Sequence, residues 1–342
     1  MSLTVNDVVA QLGGSAVGDA AKRIDGVAPL DSATATDISF LANPKYRSQL
    51  AQTLAGAVVV DEKIELPEGL TAIRSRNPYL YFARVVALLH PPRRFPAGIS
   101  DRACVEGEVA ATAHVGPGAV VEAGAIVMDE AIIGPNSVVR QGARIGKRTR
   151  LMANVTVYEN CSLGDDCIVH SGVVIGADGF GFARSEDREW VKFPQIGAVR
   201  IGNHVEIGAN TSIDRGAMTD TIIGDGVKLD NLIQIAHNVE VGDHTAIAGS
   251  AGIAGSSKVG KRCMIGGQSG ISGHLVIGDD VVISGDTLVT KSISEPGQYT
   301  SNLPVQKHAD WVRNFSHLRH LDSMAKKIRR IEQRLDKGED ES

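Results

Sequence analysis

Of the ten histidines, five sit within the repeat after residue 169: His170, His204, His237, His244 and His274. Imidazole changes charge near neutral pH, which is what a general base requires. His237 has the most polar setting, Leu229-Asp230-Asn231-Leu232-Ile233-Gln234-Ile235-Ala236-His237-Asn238, where hydrogen-bonding side chains crowd together. His274, in Gly270-Ile271-Ser272-Gly273-His274, stands among small residues that let a substrate come close. A second constellation is Phe40-Leu41-Ala42-Asn43-Pro44-Lys45-Tyr46, two aromatics and an amide around a proline turn. That set suits stacking on a nucleobase and hydrogen-bonding its edge, although a plain turn would use the same residues. The chain has no GxSxG nucleophile elbow, no P-loop and no dinucleotide-binding glycine fingerprint. Its four cysteines have no zinc-ligand spacing.

These residues are embedded in a six-residue repeat. Stepping by six from Val109 meets only branched aliphatics up to Ile175, and the phase resumes at Ile201, Ile207 and Ile213. After a four-residue insertion it runs from Ile223 to Val289. The residue four further on is small or β-branched (Ala119, Ser137, Thr149, Val205, Thr211, Ser257), and glycine often follows the aliphatic. Short strands joined by sharp turns satisfy this period, and a helix does not. About 27 hexads at three per coil predict about nine coils, a prism about 45 Å long. Cys161, Cys167 and Cys263 fall on the small inward position and read as core filler. His237 and His274 are 37 residues apart in sequence, two coils plus one residue, and are expected near one edge about 10 Å apart.

Residues 1–98 lack the hexad and read as a small α/β domain, with a helix over 4–12, a buried strand at 57–60 and a helix over 79–89 stopped by Pro91-Pro92. The aromatics Tyr79, Tyr81 and Phe82 are expected to pack its core. The repeat domain spans 99–303, with an excursion at 177–199 that holds Phe180, Phe182, Trp190 and Phe193. Residues 304–342 turn helical: Trp311, Phe315, Leu318, Leu321, Met324, Ile328, Ile331 and Leu335 form a stripe for packing between subunits or against the prism end. Seven basic residues between Arg313 and Arg334 would suit an acidic partner.

Composition narrows the function classes. The chain has 342 residues, 38 of them glycine and only 14 aromatic, which suits a narrow aliphatic solenoid. A net charge of −5 argues against nucleic-acid binding. No apolar run approaches the roughly 20 residues of a membrane span. The N-terminus lacks the marks of a signal peptide, so a cytoplasmic protein with reduced thiols is expected.

Taken together, ISFLANPKY (38–46), GADGFGFA (176–183), KLDNLIQIAHNV (228–239), GISGH (270–274) and the EPG exit at 295–297 resemble the UDP-3-O-(3-hydroxyacyl)glucosamine N-acyltransferases of lipid A synthesis. The resemblance spans nearly the whole chain. It implies a mainly β fold: a left-handed parallel β-helix of hexapeptide repeats, with a small N-terminal α/β uridine-binding domain and C-terminal helices. It further implies transfer of a 3-hydroxyacyl chain from acyl carrier protein, where it rides on phosphopantetheine, to the 2-amino group of UDP-3-O-acylglucosamine. No other cofactor, no metal and no covalent acyl-enzyme are expected.

On the same resemblance His237 is the general base, and His274 assists binding or steadies the oxyanion. Phe40, Asn43 and Tyr46 hold the uracil, while Asp230, Asn231 and Gln234 contact substrate or orient His237. The family is a homotrimer with sites in the clefts between prisms, and the basic C-terminal helix would meet the carrier protein. Leu288 is the candidate for the end of the acyl pocket. Three other readings compete: an O-acyltransferase acting on UDP-N-acetylglucosamine, a zinc enzyme using His204, His237 and His244 across an interface, and a non-catalytic trimeric scaffold.

Overall fold

Residues 2–339 are described by a computed structural model, which divides after Arg94 into two compact units. In the first unit, four strands (Gly26–Val27, Asp37–Phe40, Ala57–Val60 and Ala72–Arg74) run parallel, and Ser15–Val17 closes the sheet antiparallel to the last of them. Ala57–Val60 is fully buried because both faces of the sheet are covered. The helices Val5–Leu12 and Pro78–Leu89 pack Val5, Val8, Tyr81 and Val85 onto Ile38, Val59 and Ile73. Thr4 opens the first helix with a capping box to Asp7, and Asn77 caps the second at the Leu80 N–H, with Pro78 at the first helical position. Tyr81 and Phe82 belong to this core as expected, but Tyr79 does not: it is 68% exposed and lies against Phe40 instead.

The second unit is a parallel β-helix of two- to four-residue strands on three faces. In chain order, the first face has eleven strands, starting at Gly98–Ile99, the second ten, starting at Cys104–Val105, and the third nine, starting at Glu108–Val109. The coils therefore begin two strands ahead of Val109, where the sequence repeat becomes obvious; Ile99 is half-exposed because no coil precedes it. Within each short strand one residue faces in and its neighbour out. Val121, Ile145, Leu151, Ile175, Ile207 and Ile235 line the interior, fully buried.

Corners close where the chain takes left-handed backbone, for example at Asn136 (φ 57°), Asn154 (φ 59°) and Asn210 (φ 56°), the residue type that tolerates it best after glycine. Inside the corners, buried hydroxyls tie one coil to the next. Thr149 Oγ1 donates to the Gly164 carbonyl (2.7 Å) and accepts the Cys167 N–H (3.0 Å), and Thr245 repeats the pattern with Gly260 and Cys263. The thiols of Cys167 and Cys263 donate in turn to the carbonyls of Gly202 (3.2 Å) and Gly278 (3.1 Å). They fill the hydroxyl's place at the small inward position, and burial pushes both thiols up, away from the reactive thiolate.

The excursion is an antiparallel hairpin, Phe182–Arg184 with Trp190–Lys192. Beyond the coils lie the helices His308–Leu318 and Leu321–Glu339. Their apolar stripe (Trp311, Leu318, Leu321, Met324, Ile328) is exposed, so packing against the prism end is not formed. Among the described residues no helix is long and apolar enough to cross a membrane.

Candidate functional site

His237 and His274 share one corner, between the second and third faces, two coils apart. The backbone stacks them: the Ser256 N–H donates to the His237 carbonyl (2.9 Å), and the His274 N–H to the Gly255 carbonyl (3.0 Å). His274 is itself in the left-handed region (φ 62°), where a non-glycine residue costs about 1–2 kcal/mol.

Around His237 the regular repeat is broken twice; one break touches the ring's residue and the other holds its neighbour Asn238. The excursion opens with Gly179 against the side chain: a Cβ there would fall 2.7 Å from the His237 Cβ. The four-residue insertion before Ile223 holds the neighbouring Asn238. The Ala217 N–H donates to Asn238 Oδ1 (2.9 Å), and Asn238 Nδ2 donates to the carbonyl (3.0 Å) and hydroxyl (2.9 Å) of Thr219. That network fixes which end of the amide is oxygen. Oδ1 lies 3.1 Å from His237 Nδ1, so Nδ1 carries the proton and donates, which leaves the Nε2 lone pair free.

A carboxylate that sequence reasoning missed completes the surroundings. Asp214 flanks buried Ile213 on the adjacent second-face strand; the register Ser212↔Gln234 and Ile213↔Ile235 sets it opposite Ala236, one residue before His237. Gln234 Nε2 donates to its Oδ2 (2.9 Å). Burial pushes the Asp214 carboxyl above the ordinary range, while the Gln234 amide and His237 pull it back. The strict hexad breaks right after Asp214, and that interruption was the available signal for Asp214, Ala217 and Thr219.

Asp230 and Asn231 do not join this group within the chain. They sit at the preceding corner, at the other end of the strand Gln234–Ile235, and cap neighbouring coils: Asp230 Oδ2 accepts the Gly249 N–H (2.9 Å), Asn231 Oδ1 the Ala209 N–H (2.6 Å). Closeness in sequence misled here, because a six-residue repeat turns a corner between them and His237. His204 and His244 occupy the third corner, between the third and first faces. They are therefore not brought to His237 within one chain.

Phe40, Asn43 and Tyr46 line a single cavity of about 500 Å³ in the first unit, together with Leu30, Ser39 and Tyr79. Phe40 stacks on Phe82 (4.5 Å, 24°) and meets Tyr79 at a tilt (5.7 Å, 54°). Tyr46 stays 53% exposed. Asn43 Oδ1 caps the short 3-10 helix Pro44–Ala51 at the Lys45 N–H (3.0 Å), which holds the amide at the cavity mouth.

On the second face, outward positions above Gln234 are Gly252, Gly270 and then Leu288, in register. Two glycines leave a bare strip, and Leu288, 61% exposed, closes it. No Cβ added at Gly252 would meet anything within 4 Å.

Comparison with known proteins adds identity to this geometry. The family model described as UDP-3-O-(3-hydroxymyristoyl) glucosamine N-acyltransferase matches residues 21–88. Models of bacterial transferase hexapeptide repeats and of the succinyl-transferase hexapeptide repeat match 142–177, and 198–231 with 258–291. A UDP-3-O-acylglucosamine N-acyltransferase of Aromatoleum aromaticum is 55% identical over 330 residues, 96% of this chain and 98% of the relative. One from Herminiimonas arsenicoxydans is 48% identical over 343 residues, 98% of each. One from Coxiella burnetii is 42% identical over 334 residues, 97% of this chain and 98% of the relative. Among solved structures, an Arabidopsis UDP-N-acetylglucosamine acyltransferase superposes with a TM-score of 0.54 at 21% identity, over 60% of this chain and 71% of that one. That likeness concerns the fold.

Proposed function

This chain belongs to the UDP-3-O-acylglucosamine N-acyltransferase family, and from that premise we propose that it carries a 3-hydroxyacyl group from acyl carrier protein to the 2-amino group of UDP-3-O-acylglucosamine, with His237 as general base. The observation that carries the base assignment is the hydrogen bond from His237 Nδ1 to an Asn238 amide whose orientation is pinned by Ala217 and Thr219. A ring held in that tautomer offers Nε2 as the acceptor.

In the proposed step the amine nitrogen attacks the thioester carbon, and Nε2 takes the proton that the nitrogen sheds. The tetrahedral intermediate then collapses: the C–S bond breaks, the amide remains, and the imidazolium returns its proton to the departing pantetheine thiolate. The route needs neither a covalent acyl-enzyme nor a metal. His274, two coils along the same corner, would assist binding or steady the oxyanion together with backbone N–H groups.

For the nucleotide, Phe40 and Tyr46 would supply the faces for the uracil and Asn43 its edge contact, since its Nδ2 is not used in capping Lys45. Gln234 acts through Asp214. Asp230 and Asn231 remain candidates for substrate contact from their own corner. The basic face of the C-terminal helices is the proposed dock for the acidic carrier protein, and a homotrimer is the proposed assembly. The lipid A pathway, in the cytoplasm, is the proposed setting.

The test is transfer of a labelled 3-hydroxyacyl group from holo carrier protein to UDP-3-O-acylglucosamine, with UDP-N-acetylglucosamine alongside and His237→Ala as control. Amide on the first acceptor alone, lost in the variant, supports the proposal. Ester on the second acceptor, or full activity in the variant, overturns it.

A further inference from the structure

We propose that Asp214 holds the acceptor's amino group beside Nε2 of His237, and so selects an amine over a hydroxyl. The proposal rests on the reading of His237 as base and adds to it the group that presents the nucleophile.

The geometry is that of a half-satisfied carboxylate placed at a reacting centre. Asp214 stands outward on the second face, on the strand next to that of Gln234 and about 4.8 Å from it. Its Oδ2 accepts the Gln234 amide, and its Oδ1 has no protein donor among the described residues. The charged and titratable groups around it are few. His237 lies on the following coil, and Asp178 on the preceding one, at the start of the excursion, where it is paired with Lys192. Arg215, the adjacent cation, turns away: its guanidinium bonds the Gly176 carbonyl (2.7 Å) and Glu159. Asp214 is therefore a carboxylate partly withdrawn from water with no cation of its own, a cost that an incoming ammonium or amine N–H relieves.

The chemistry fits an amine acceptor. A sugar amine reaches the site partly protonated, and a carboxylate accepts its N–H in either state, most strongly as the ammonium. Gln234 locks one carboxylate oxygen, so the other has a defined direction. A 2-hydroxyl can give that oxygen only one hydrogen bond and no charge. Losing a charge-assisted hydrogen bond costs on the order of tenfold or more in affinity.

Calorimetric titration without acyl donor tests this, using UDP-3-O-acylglucosamine and its 2-hydroxy counterpart, UDP-3-O-acylglucose. The wild-type protein should prefer the amine by about tenfold or more. Asp214→Asn should erase most of that preference by weakening the amine alone; Asp214→Ser, which copies outward-facing Ser212 on the same strand, provides the same reading should the asparagine variant not fold. A preference kept in the variants, a wild type with none, or equal weakening of both ligands would overturn the proposal. His237→Ala separates the two readings. It should lose turnover and keep the amine preference, whereas normal turnover would remove His237 as base while the binding comparison still decides Asp214.

Discussion

Gly255 sits one coil beyond His237 with nothing between them: a Cβ added there would lie 2.6 Å from both Cε1 and Nε2 of the imidazole. The backbone of Gly255 thus forms one wall at Nε2. Gly255→Ala should push the ring aside or cover Nε2. We expect kcat to fall about a hundredfold or more, on the scale of losing a positioned general base, with the melting temperature nearly unchanged, since Gly255 has no positive φ to strain an alanine. Steady-state kinetics and a thermal melt on the same preparation check this; full activity would mean that Nε2 is not the reacting atom.

Asn238 is the next residue to probe, because it joins the ring to the insertion. Asn238→Ala removes the acceptor for His237 Nδ1 and the partners of Ala217 and Thr219, at a left-handed position (φ 58°) that alanine tolerates poorly. Both activity and stability should drop, the latter by about 1–3 kcal/mol for the unmade hydrogen bonds. Asn238→Asp keeps an acceptor for Nδ1 and should retain more activity than the alanine variant. If the two variants behave alike in kcat, the tautomer argument fails.

The repeat made the prism legible, since one aliphatic every six residues leaves few other ways to bury a stripe. Register also followed: His237 and His274 share a corner because 37 residues are two coils and one step. What sequence spacing did not show was which end of a strand a polar residue occupies. Asp230 and Asn231 looked adjacent to His237, yet the strand Gln234–Ile235 separates their corners. Asp214 escaped notice for the opposite reason. It is 23 positions from His237 in the chain but one strand away in space, with the insertion hiding the ladder that joins them. Tyr79 was misplaced because helical periodicity says that a face is buried, not where the core ends.

The ionised corners predict a pH dependence of stability. Arg148 holds the Asp166 carboxyl below its ordinary range through paired bonds of 2.7 Å, and Arg262 holds that of Asp280 through bonds of 2.8 and 2.7 Å. A lowered carboxylate contributes stability above its unfolded value and loses it as pH falls through that range towards the folded one. Melts should therefore be flat near neutrality and fall below about pH 4. Exposure keeps each pair's contribution small, so Arg148→Met should reduce the acid sensitivity only slightly. Asp214 has the opposite sign. Its carboxyl is raised by burial, so its ionisation costs stability above the folded value and nothing below the unfolded one. Asp214→Asn should melt higher than wild type at pH 8, and the difference should vanish in acid; a lower melting temperature at pH 8 would contradict the burial argument.

The bare strip on the second face predicts control of acyl length. From Gln234, three strand spacings of about 4.8 Å pass Gly252 and Gly270 before reaching Leu288, a run of about 14 Å. Leu288 already crowds the strip's far end, since a Cβ on Gly270 would lie 3.2 Å from its Cδ1. An extended acyl chain laid along the strip would bury its methylenes against glycine backbone and stop at that side chain. Leu288→Ala should shift preference towards longer acyl groups, and Leu288→Trp towards shorter ones. Each methylene that gains or loses burial changes the free energy by about 0.8 kcal/mol, roughly fourfold in kcat/KM. Competition between carrier proteins loaded with chains of different length reads the shift directly. The same ranking of chains in both variants would mean that the acyl group takes another path across the prism.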